Sequence, residues 1–276
     1  MTVEFEKTTF KKRLKSMLGV DFRRLFTSPL WYIMLAIALV MPILILVMTT
    51  MMGAPAEGTE GETASQGFTN AWQIIGSFPQ TAPQGSEGAE AGAMAMSMDL
   101  TSMCNINMMF FIIAIFVALF VGEDFKSGYA KNLFTVRAQK VDYVLSKTLV
   151  CFISGAGMII VFFLGGMIGG AIAKLPYTLE GGVSGYNLAM CILSKAFLTL
   201  LFSAVYILAC VIAKQKTWLS ILLCLGIGML FFTMIPMITP LNAGIIHLVL
   251  CLIGSAIFAI GIGAGSTAVL KKTALV

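Results

Sequence analysis

Charged side chains are scarce in this sequence. Only 11% of its 276 residues are charged and 58% are hydrophobic, with a mean hydropathy of +0.93. A soluble domain carries about a quarter charged residues, so a soluble globular class is excluded and a polytopic membrane protein is predicted. The long apolar runs do not alternate with polar residues, as the strands of a membrane barrel do, and the predicted spans are therefore helices.

Several catalytic and ligand-binding signatures are missing as well. The sequence has no GxxxxGK[ST] motif, so it offers no P-loop for the phosphates of ATP, and it has no HExxH motif. It contains one histidine, His247, and no CxxC pair among its six cysteines, so neither a metal site nor a redox centre is predicted. We therefore expect no enzyme activity, no cofactor bound by this chain and no nucleic-acid partner.

Six apolar runs are long enough to cross a bilayer as helices, because a helix rises about 1.5 Å per residue and the hydrocarbon core is about 30 Å thick. If both termini lie on one side, that side receives almost every lysine and arginine outside the spans, whereas the other side receives only Lys174. The positive-inside rule then places both termini in the cytoplasm. The predicted fold is an all-α membrane protein with a single transmembrane domain over residues 1–276. The predicted spans cover roughly residues 30–52, 104–122, 148–173, 188–213, 217–238 and 244–270.

The segment before the first span, residues 1–29, has the pattern of an amphipathic helix. Apolar residues recur every three or four positions, and lysines and arginines occupy the other faces. A basic amphipathic helix of this kind lies in the membrane interface; the alternative is that the charges only set the topology. The apolar positions are Phe10, Leu14, Leu18, Phe22 and Leu25.

The longest loop, residues 53–103, lies outside the cell in this topology. It is rich in Gly, Ala, Glu, Ser, Gln, Thr and Pro, and most of it is predicted to be poorly ordered because it offers little apolar surface to bury. The exception is 68–78, "FTNAWQIIGSF", which is predicted to form a short helix.

Glycines at helix-packing spacing occur in the third and sixth predicted spans. Pairs of small residues four positions apart let two helices approach closely in lipid, so a tightly packed bundle is expected. The pairs are Gly165/Gly169, Gly166/Gly170 and Gly261/Gly265.

The loop after the second predicted span, residues 123–147, is longer than a connector requires. Glu123 and Asp124 stand at the membrane edge, Gly128 can reverse the chain direction because glycine tolerates positive φ, and 129–138 is predicted to form a short basic helix. An acid–turn–basic helix below the bilayer is typical of a docking surface for another protein. The alternative for the two acids is solvated surface charge.

These residues resemble the type-2 permeases of ATP-binding-cassette exporters. The loop is similar to the pattern "E…SG…KNL…R…K" that follows the second span of those permeases, which also have six spans, internal termini and an amphipathic N-terminal helix. The family typically has threonine after the glycine, where this chain has Tyr129. The matching residues are Glu123, Gly128, Lys131, Asn132, Leu133, Arg137 and Lys147.

The resemblance implies a membrane subunit of an exporter in a bacterial cell membrane. Two permease copies, or two related permeases, would pair with two separate ABC ATPase subunits, which would carry the ATP and Mg²⁺. The helix of the loop would sit in a cleft of the ATPase, and Glu123 would join a charge network with Arg13, Arg23 or Arg24 of the interfacial helix. The residues implied in ATPase coupling are Glu123, Asp124, Lys126, Gly128, Tyr129, Lys131, Asn132 and Arg137.

The resemblance also implies a substrate path at the permease dimer interface. Its polar candidates, on spans one, two and five, are Thr49, Asn105, Asn107 and Thr233. Lys195 has two interpretations, a cation in this path or a side chain that snorkels to the outer headgroups or pairs with Glu180. Two other functions stay open: a non-transporting sensor or immunity subunit with the same docking surface, and a secondary carrier, which the absence of acids deep in the spans disfavours.

Overall fold

A computed structural model of the chain describes residues 9–52, 68–76, 104–136, 139–179, 182–214, 216–232 and 234–272. Within these ranges all regular structure is helical and no strand is present. Two single-turn 3-10 helices, Ala71–Ile74 and Ile106–Met108, accompany the α-helices. The α-helices are α1 (Phe10–Thr27), α2 (Pro29–Met52), α3 (Met109–Lys126), α4 (Tyr129–Val136), α5 (Lys140–Ile172), α6 (Gly185–Ala213), α7 (Thr217–Phe232), α8 (Met234–Ile238) and α9 (Ile245–Lys272).

Five of these helices are long and apolar enough to cross a membrane: α2, α3 with the 3-10 turn before it, α5, α6 and α9. They coincide with five of the six predicted spans. The remaining one, 217–238, corresponds to α7 and α8, and α7 is only 16 residues long. Pro236 lies inside the short α8, where it offers no backbone N–H to a helical hydrogen bond. Most of the long loop, residues 53–67 and 77–103, lies outside the described residues.

The third long helix begins earlier than hydropathy predicts. α5 starts at Lys140 rather than near residue 148, and α3 continues to Lys126, so the predicted loop 123–147 shrinks to 127–139. The reason is that polar residues of the first turns of α5 are buried rather than solvated: Asp142 and Lys147 are 2% and 0% exposed. The charged residues 142 and 147 therefore did not mark the start of α5, because charged side chains of other helices neutralise them inside the protein.

Two of the three glycine pairs make close helix contacts. A Cβ on Gly165 would overlap the carbonyl oxygen of Leu39, and a Cβ on Gly169 would lie 2.8 Å from the Cα of Ile43, so these glycines let α5 approach the backbone of α2 beside Pro42. Gly166 and Gly170 instead face the 3-10 helix Ala71–Ile74, at Ile74 and Ala71. A Cβ on Gly261 or Gly265 would meet no described atom within 4 Å.

The 3-10 helix Ala71–Ile74 is the short helix predicted within 68–78. The side chain of Asn70 accepts from the backbone N–H of Trp72, and the side chain of Gln73 accepts from that of Asn70, which caps the turn. Asn70 Nδ2 also donates to the carbonyl oxygen of Thr178, 2.5 Å away, and Trp72 stacks on Phe163. The segment is thereby attached to the end of α5 that lies farthest from α1.

Candidate functional site

The N-terminal helix α1 packs against α5 along one buried line. Met17, Asp21 and Leu25 follow each other at four-residue spacing and are at most 2% exposed, which places them on one face of the helix. The predicted apolar stripe flanks this line, with Leu18 and Phe22 half-buried and Phe10 46% exposed. The centre of the buried face is therefore a carboxylate, Asp21, and a buried carboxylate requires a cation or several hydrogen bonds.

That requirement is met by a charge cluster that consists of Asp21, Arg24, Asp124 and Lys147. The Nζ atom of Lys147 lies 2.9 Å from Oδ1 of Asp21 and 2.8 Å from Oδ2 of Asp124. Arg24 Nη1 lies 2.7 Å from Oδ1 of Asp124. Two carboxylates thus face two cations, and the charge cluster, which is formally neutral, joins α1, α3 and α5.

Neutral side chains complete the hydrogen bonding of the two carboxylates. The Tyr143 hydroxyl donates to Asp124 Oδ2 over 3.0 Å, and the Ser146 hydroxyl donates to Asp21 Oδ2 over 2.6 Å. The Lys147 ammonium also lies 4.3 Å from the centre of the Phe120 ring. Because Asp21, Asp124 and Lys147 are all fully buried, these contacts replace the water that each group loses.

Further polar contacts fasten the first turn of α5. Arg13 of α1 donates from Nε to Asp142 over 3.0 Å and from Nη2 to the Gln139 side chain over 2.5 Å. Lys140 Nζ donates to the carbonyl oxygen of Leu270 over 2.6 Å, so the last turn of α9 lies beside the first turn of α5. This end of the bundle is therefore held by charged side chains of α1, α3 and α5 and by one backbone carbonyl oxygen of α9.

The turn between α3 and α4 places a helix directly beside the charge cluster. Gly128 has φ +74°, a conformation that favours glycine, and its carbonyl oxygen accepts from the N–H of Asn132 at the start of α4. The guanidinium of Arg24 lies 4.3 Å from the ring centre of Tyr129, and Phe134 meets the Tyr143 ring edge-on at 5.3 Å. α4 therefore packs on Arg24, a member of the charge cluster, and on Tyr143, which donates to Asp124 of that cluster.

The opposite side of this turn and helix is open. Lys126, Lys131, Asn132 and Thr135 are exposed, so they can contact another protein without any rearrangement of the bundle. Arg137, which was predicted to contact the ATPase, lies outside the described residues.

The family comparison covers these elements. A family model described as ABC-2 family transporter protein matches residues 20–235. The chain belongs to the ABC-2 transporter family. The matched range contains all four residues of the charge cluster, the Gly128 turn and α4. Together with its apolar helices, the match makes this ABC-2 protein a multi-pass membrane transport component. Comparisons with curated proteins and with solved structures found no match.

Asp124, rather than Glu123, pairs with the N-terminal helix of this ABC-2 protein. Adjacent positions on a helix point about 100° apart, and here Asp124 points into the protein whereas Glu123 is exposed. Arg24 pairs with Asp124, Arg13 pairs with Asp142, and Arg23 is exposed. Among the described residues no ion pair involves Glu123; its side chain instead lines a groove that also contains Arg24.

Sequence reasoning missed Asp21, Asp142, Tyr143 and Ser146. One signal was present for Asp21: it is the sole acid between Lys7 and Arg24, and it lies four residues before Leu25 and three after Leu18, inside the apolar stripe. An acid at an apolar position of a basic amphipathic helix indicates a buried partner. No comparable signal marked Tyr143 or Ser146, because side chains with a hydroxyl are common at both buried and exposed positions.

The predicted path residues make internal hydrogen bonds. The Thr49 hydroxyl donates to Ile45 of its own helix, and Asn105 accepts from the backbone N–H of Asn107. The Asn107 side-chain oxygen accepts from Lys195 Nζ over 2.7 Å, and Lys195 also donates to Thr239 over 2.9 Å. Lys195 is 1% exposed, so the interpretation that it snorkels to the headgroups was wrong; Glu180, the other suggested partner, lies outside the described residues.

The fourth predicted path residue and the question of a metal site remain to be placed in the structure. Thr233 lies outside the described residues. Within the described ranges, no group of three or more His, Cys, Asp or Glu side chains could hold a metal ion.

Proposed function

We propose that this chain is the permease subunit of an ATP-driven exporter in a bacterial cell membrane. In this proposal two copies, or one copy and a related permease, form the substrate path. Separate ABC ATPase subunits bind ATP and Mg²⁺ and drive the path through α4. The membership of the ABC-2 family supports the transport role, and the charge cluster supports the coupling route.

The charge cluster carries this proposal because it connects the exposed α4 to the spans. A force applied to α4 reaches Arg24 through the Tyr129 ring and reaches Asp124 through Phe134 and Tyr143. Arg24 and Asp124 belong to α1 and α3, and Lys147 joins both helices to α5 through Asp21 and Asp124. Short ion pairs in a buried setting resist independent motion of their helices, so these helices would move together when an ATPase moves α4.

The arrangement of helix ends supports six spans and cytoplasmic termini. The end of α9 lies beside the start of α5, and the start of α5 lies beside α1. If α6 also ends on this side, the chain must cross the membrane once more before α9 begins, and α7 with α8 occupies that interval. The exposed bases at these ends, Lys126, Lys214, Lys216, Lys271 and Lys272, favour the cytoplasm, with α1 in the interface.

The experiment co-expresses the chain with a candidate ABC ATPase and measures copurification, ATP hydrolysis and export. Lys131→Glu reverses a charge on the exposed face of α4 and should reduce ATPase copurification. Lys271→Glu makes the same change at the end of α9 and is the matched control, which should copurify normally.

Export must also require an intact P-loop in the ATPase. Export with a P-loop-dead ATPase would indicate a secondary carrier. ATPase binding without any export, across substrates that the intact system removes from cells, would favour a sensor or immunity subunit. Normal copurification of Lys131→Glu would remove α4 as the docking helix.

A further inference from the structure

A groove opens at the junction of α1 and α2, next to the last turns of α3. Its volume is about 460 Å³, within the usual range of small-molecule sites. One wall comes from Thr27, Ser28 and Leu30, where α1 ends and the first apolar helix begins. Because α2 begins and α3 ends here, the groove lies at the depth where membrane spans meet lipid headgroups.

The first wall of the groove suits a phosphate group. Arg24 pairs with Asp124 through Nη1. Its side chain is nevertheless 32% exposed, and a guanidinium has five N–H donors. Ser28 lines the same groove, as does Thr27, whose hydroxyl already donates to the carbonyl oxygen of Arg23 over 2.8 Å. The first turn of α2 begins directly after Ser28 at Pro29, which has no N–H, so the first N–H of this turn without an acceptor in the helix is that of Leu30, a lining residue. Together, these groups form a setting for a phosphate anion.

The other polar residue of the groove has the opposite charge. Glu123 is exposed, lines the groove, and takes part in none of the ion pairs among described residues. A carboxylate opposite a phosphate site would repel a simple anion, whereas it would attract a ligand that carries an amine beside its phosphate. Leu30, Leu119 and Phe120 supply the apolar part of the lining, which suits the glycerol and acyl region of a lipid.

We propose that this groove binds the headgroup of an aminophospholipid, a lipid of the phosphatidylethanolamine class. Arg24 and Ser28 hold its phosphate, Glu123 holds its ammonium group, and its chains pass along Leu30 and Leu119 toward the bilayer. The ligand thereby contacts both α1 and α3 on the outer edge of the charge cluster. The proposal does not depend on ATP-driven transport, because the groove belongs to this chain alone.

The test is lipid binding to the full-length chain, purified in detergent, by native mass spectrometry. Phosphatidylethanolamine, phosphatidylcholine and phosphatidylglycerol with identical acyl chains are titrated in turn. The wild-type chain should bind phosphatidylethanolamine about two- to fivefold more tightly than the other two, since an exposed ion pair contributes a factor of about that size. Choline keeps the positive charge but has no N–H donor, and the glycerol headgroup has no positive charge.

Two variants locate this preference. Glu123→Gln should bring the affinity for phosphatidylethanolamine down to that for phosphatidylglycerol, and it should fold normally because Glu123 is exposed. Lys126→Gln, at an exposed position of the same helix outside the groove, is the control and should keep the preference. Leu119→Trp should fill the groove and weaken the binding of all three lipids.

Four results would overturn the proposal. These are a wild-type preference for the anionic lipid, equal binding of the three lipids, a preference that survives Glu123→Gln, and displacement of the lipid by millimolar inorganic phosphate. The first would indicate a site for acidic lipids, and the last would indicate a site for free phosphate. ATPase binding is absent from every arm, so the outcome is independent of the proposed transport function.

Discussion

Replacement of Lys147 by methionine tests whether the charge cluster holds the bundle together. Lys147 is the one cation shared by both buried carboxylates, at 2.9 Å from Asp21 and 2.8 Å from Asp124. Methionine fills a similar volume without the charge. Asp124 would retain Arg24 and Tyr143, whereas Asp21 would retain only the Ser146 hydroxyl among the bonds described. Removing one partner of a buried pair costs about 3–5 kcal/mol, and we expect a loss of that size.

The assay is the free energy of unfolding of the purified chain in mixed micelles titrated with denaturing detergent. Lys126→Met removes an exposed lysine and should change this free energy by no more than about 0.5 kcal/mol. The double variant Lys147→Met/Asp21→Asn leaves Arg24 opposite Asp124, so its charges balance again. It should be more stable than Lys147→Met alone, with a coupling energy of about 2 kcal/mol or more.

The reasoning would be refuted if Lys147→Met were as stable as Lys126→Met, or if adding Asp21→Asn lowered the stability further. The first result would mean that Lys147 does not neutralise the carboxylates. The second would mean that Asp21 is stabilised by something other than Lys147. A far-ultraviolet circular dichroism spectrum of each variant before titration checks that the helices are retained.

Four other predictions concern two buried contacts, the topology and the absence of a P-loop. Gly165→Ala should lower thermal stability in detergent, because the new Cβ would overlap the carbonyl oxygen of Leu39; Gly261→Ala, where no described atom is near, should not. Lys195→Met should cost about 1–3 kcal/mol in the same unfolding titration, since Asn107 loses a buried partner. In a chain whose native cysteines are replaced, Leu179→Cys should react with an impermeant thiol reagent applied to intact cells, whereas Ser127→Cys should not; labelling of Ser127→Cys would reverse the topology. The purified chain alone should hydrolyse no ATP, because its sequence has no P-loop, and hydrolysis by a pure sample would remove the permease assignment.

Hydropathy was sufficient for the fold class and for the position of the long helices, because the surrounding lipid requires continuous apolar segments. It failed at the start of α5, where Asp142 and Lys147 read as a polar loop although partners from other helices bury them. Such partners cannot be deduced from local sequence: Ser146 and Asp21 lie 125 residues apart. The turn at Gly128 was predictable because a reversal of the chain often needs a positive φ, which glycine adopts readily.

The acid of α3 that pairs with Arg24 could be predicted to within one residue and no closer. The pattern around 123–137 indicated a docking helix, and α4 lies there. Whether Glu123 or Asp124 faces Arg24 depends on the rotation of α3, and the packing of its many apolar residues decides that rotation rather than the acids themselves. α3 is apolar on nearly all sides, so its sequence carries little directional information.

The wide separation of the charge-cluster residues along the chain has a consequence for biosynthesis. Asp21 leaves the ribosome before the residues that neutralise it, which follow about 125 positions later. At about 5–20 residues per second the interval is about 6–25 s. During this time Asp21 must stay hydrated, since neither Ser146 nor Lys147 has yet been made. The first helix can therefore reach its buried position only after α3 and the start of α5 have been synthesised.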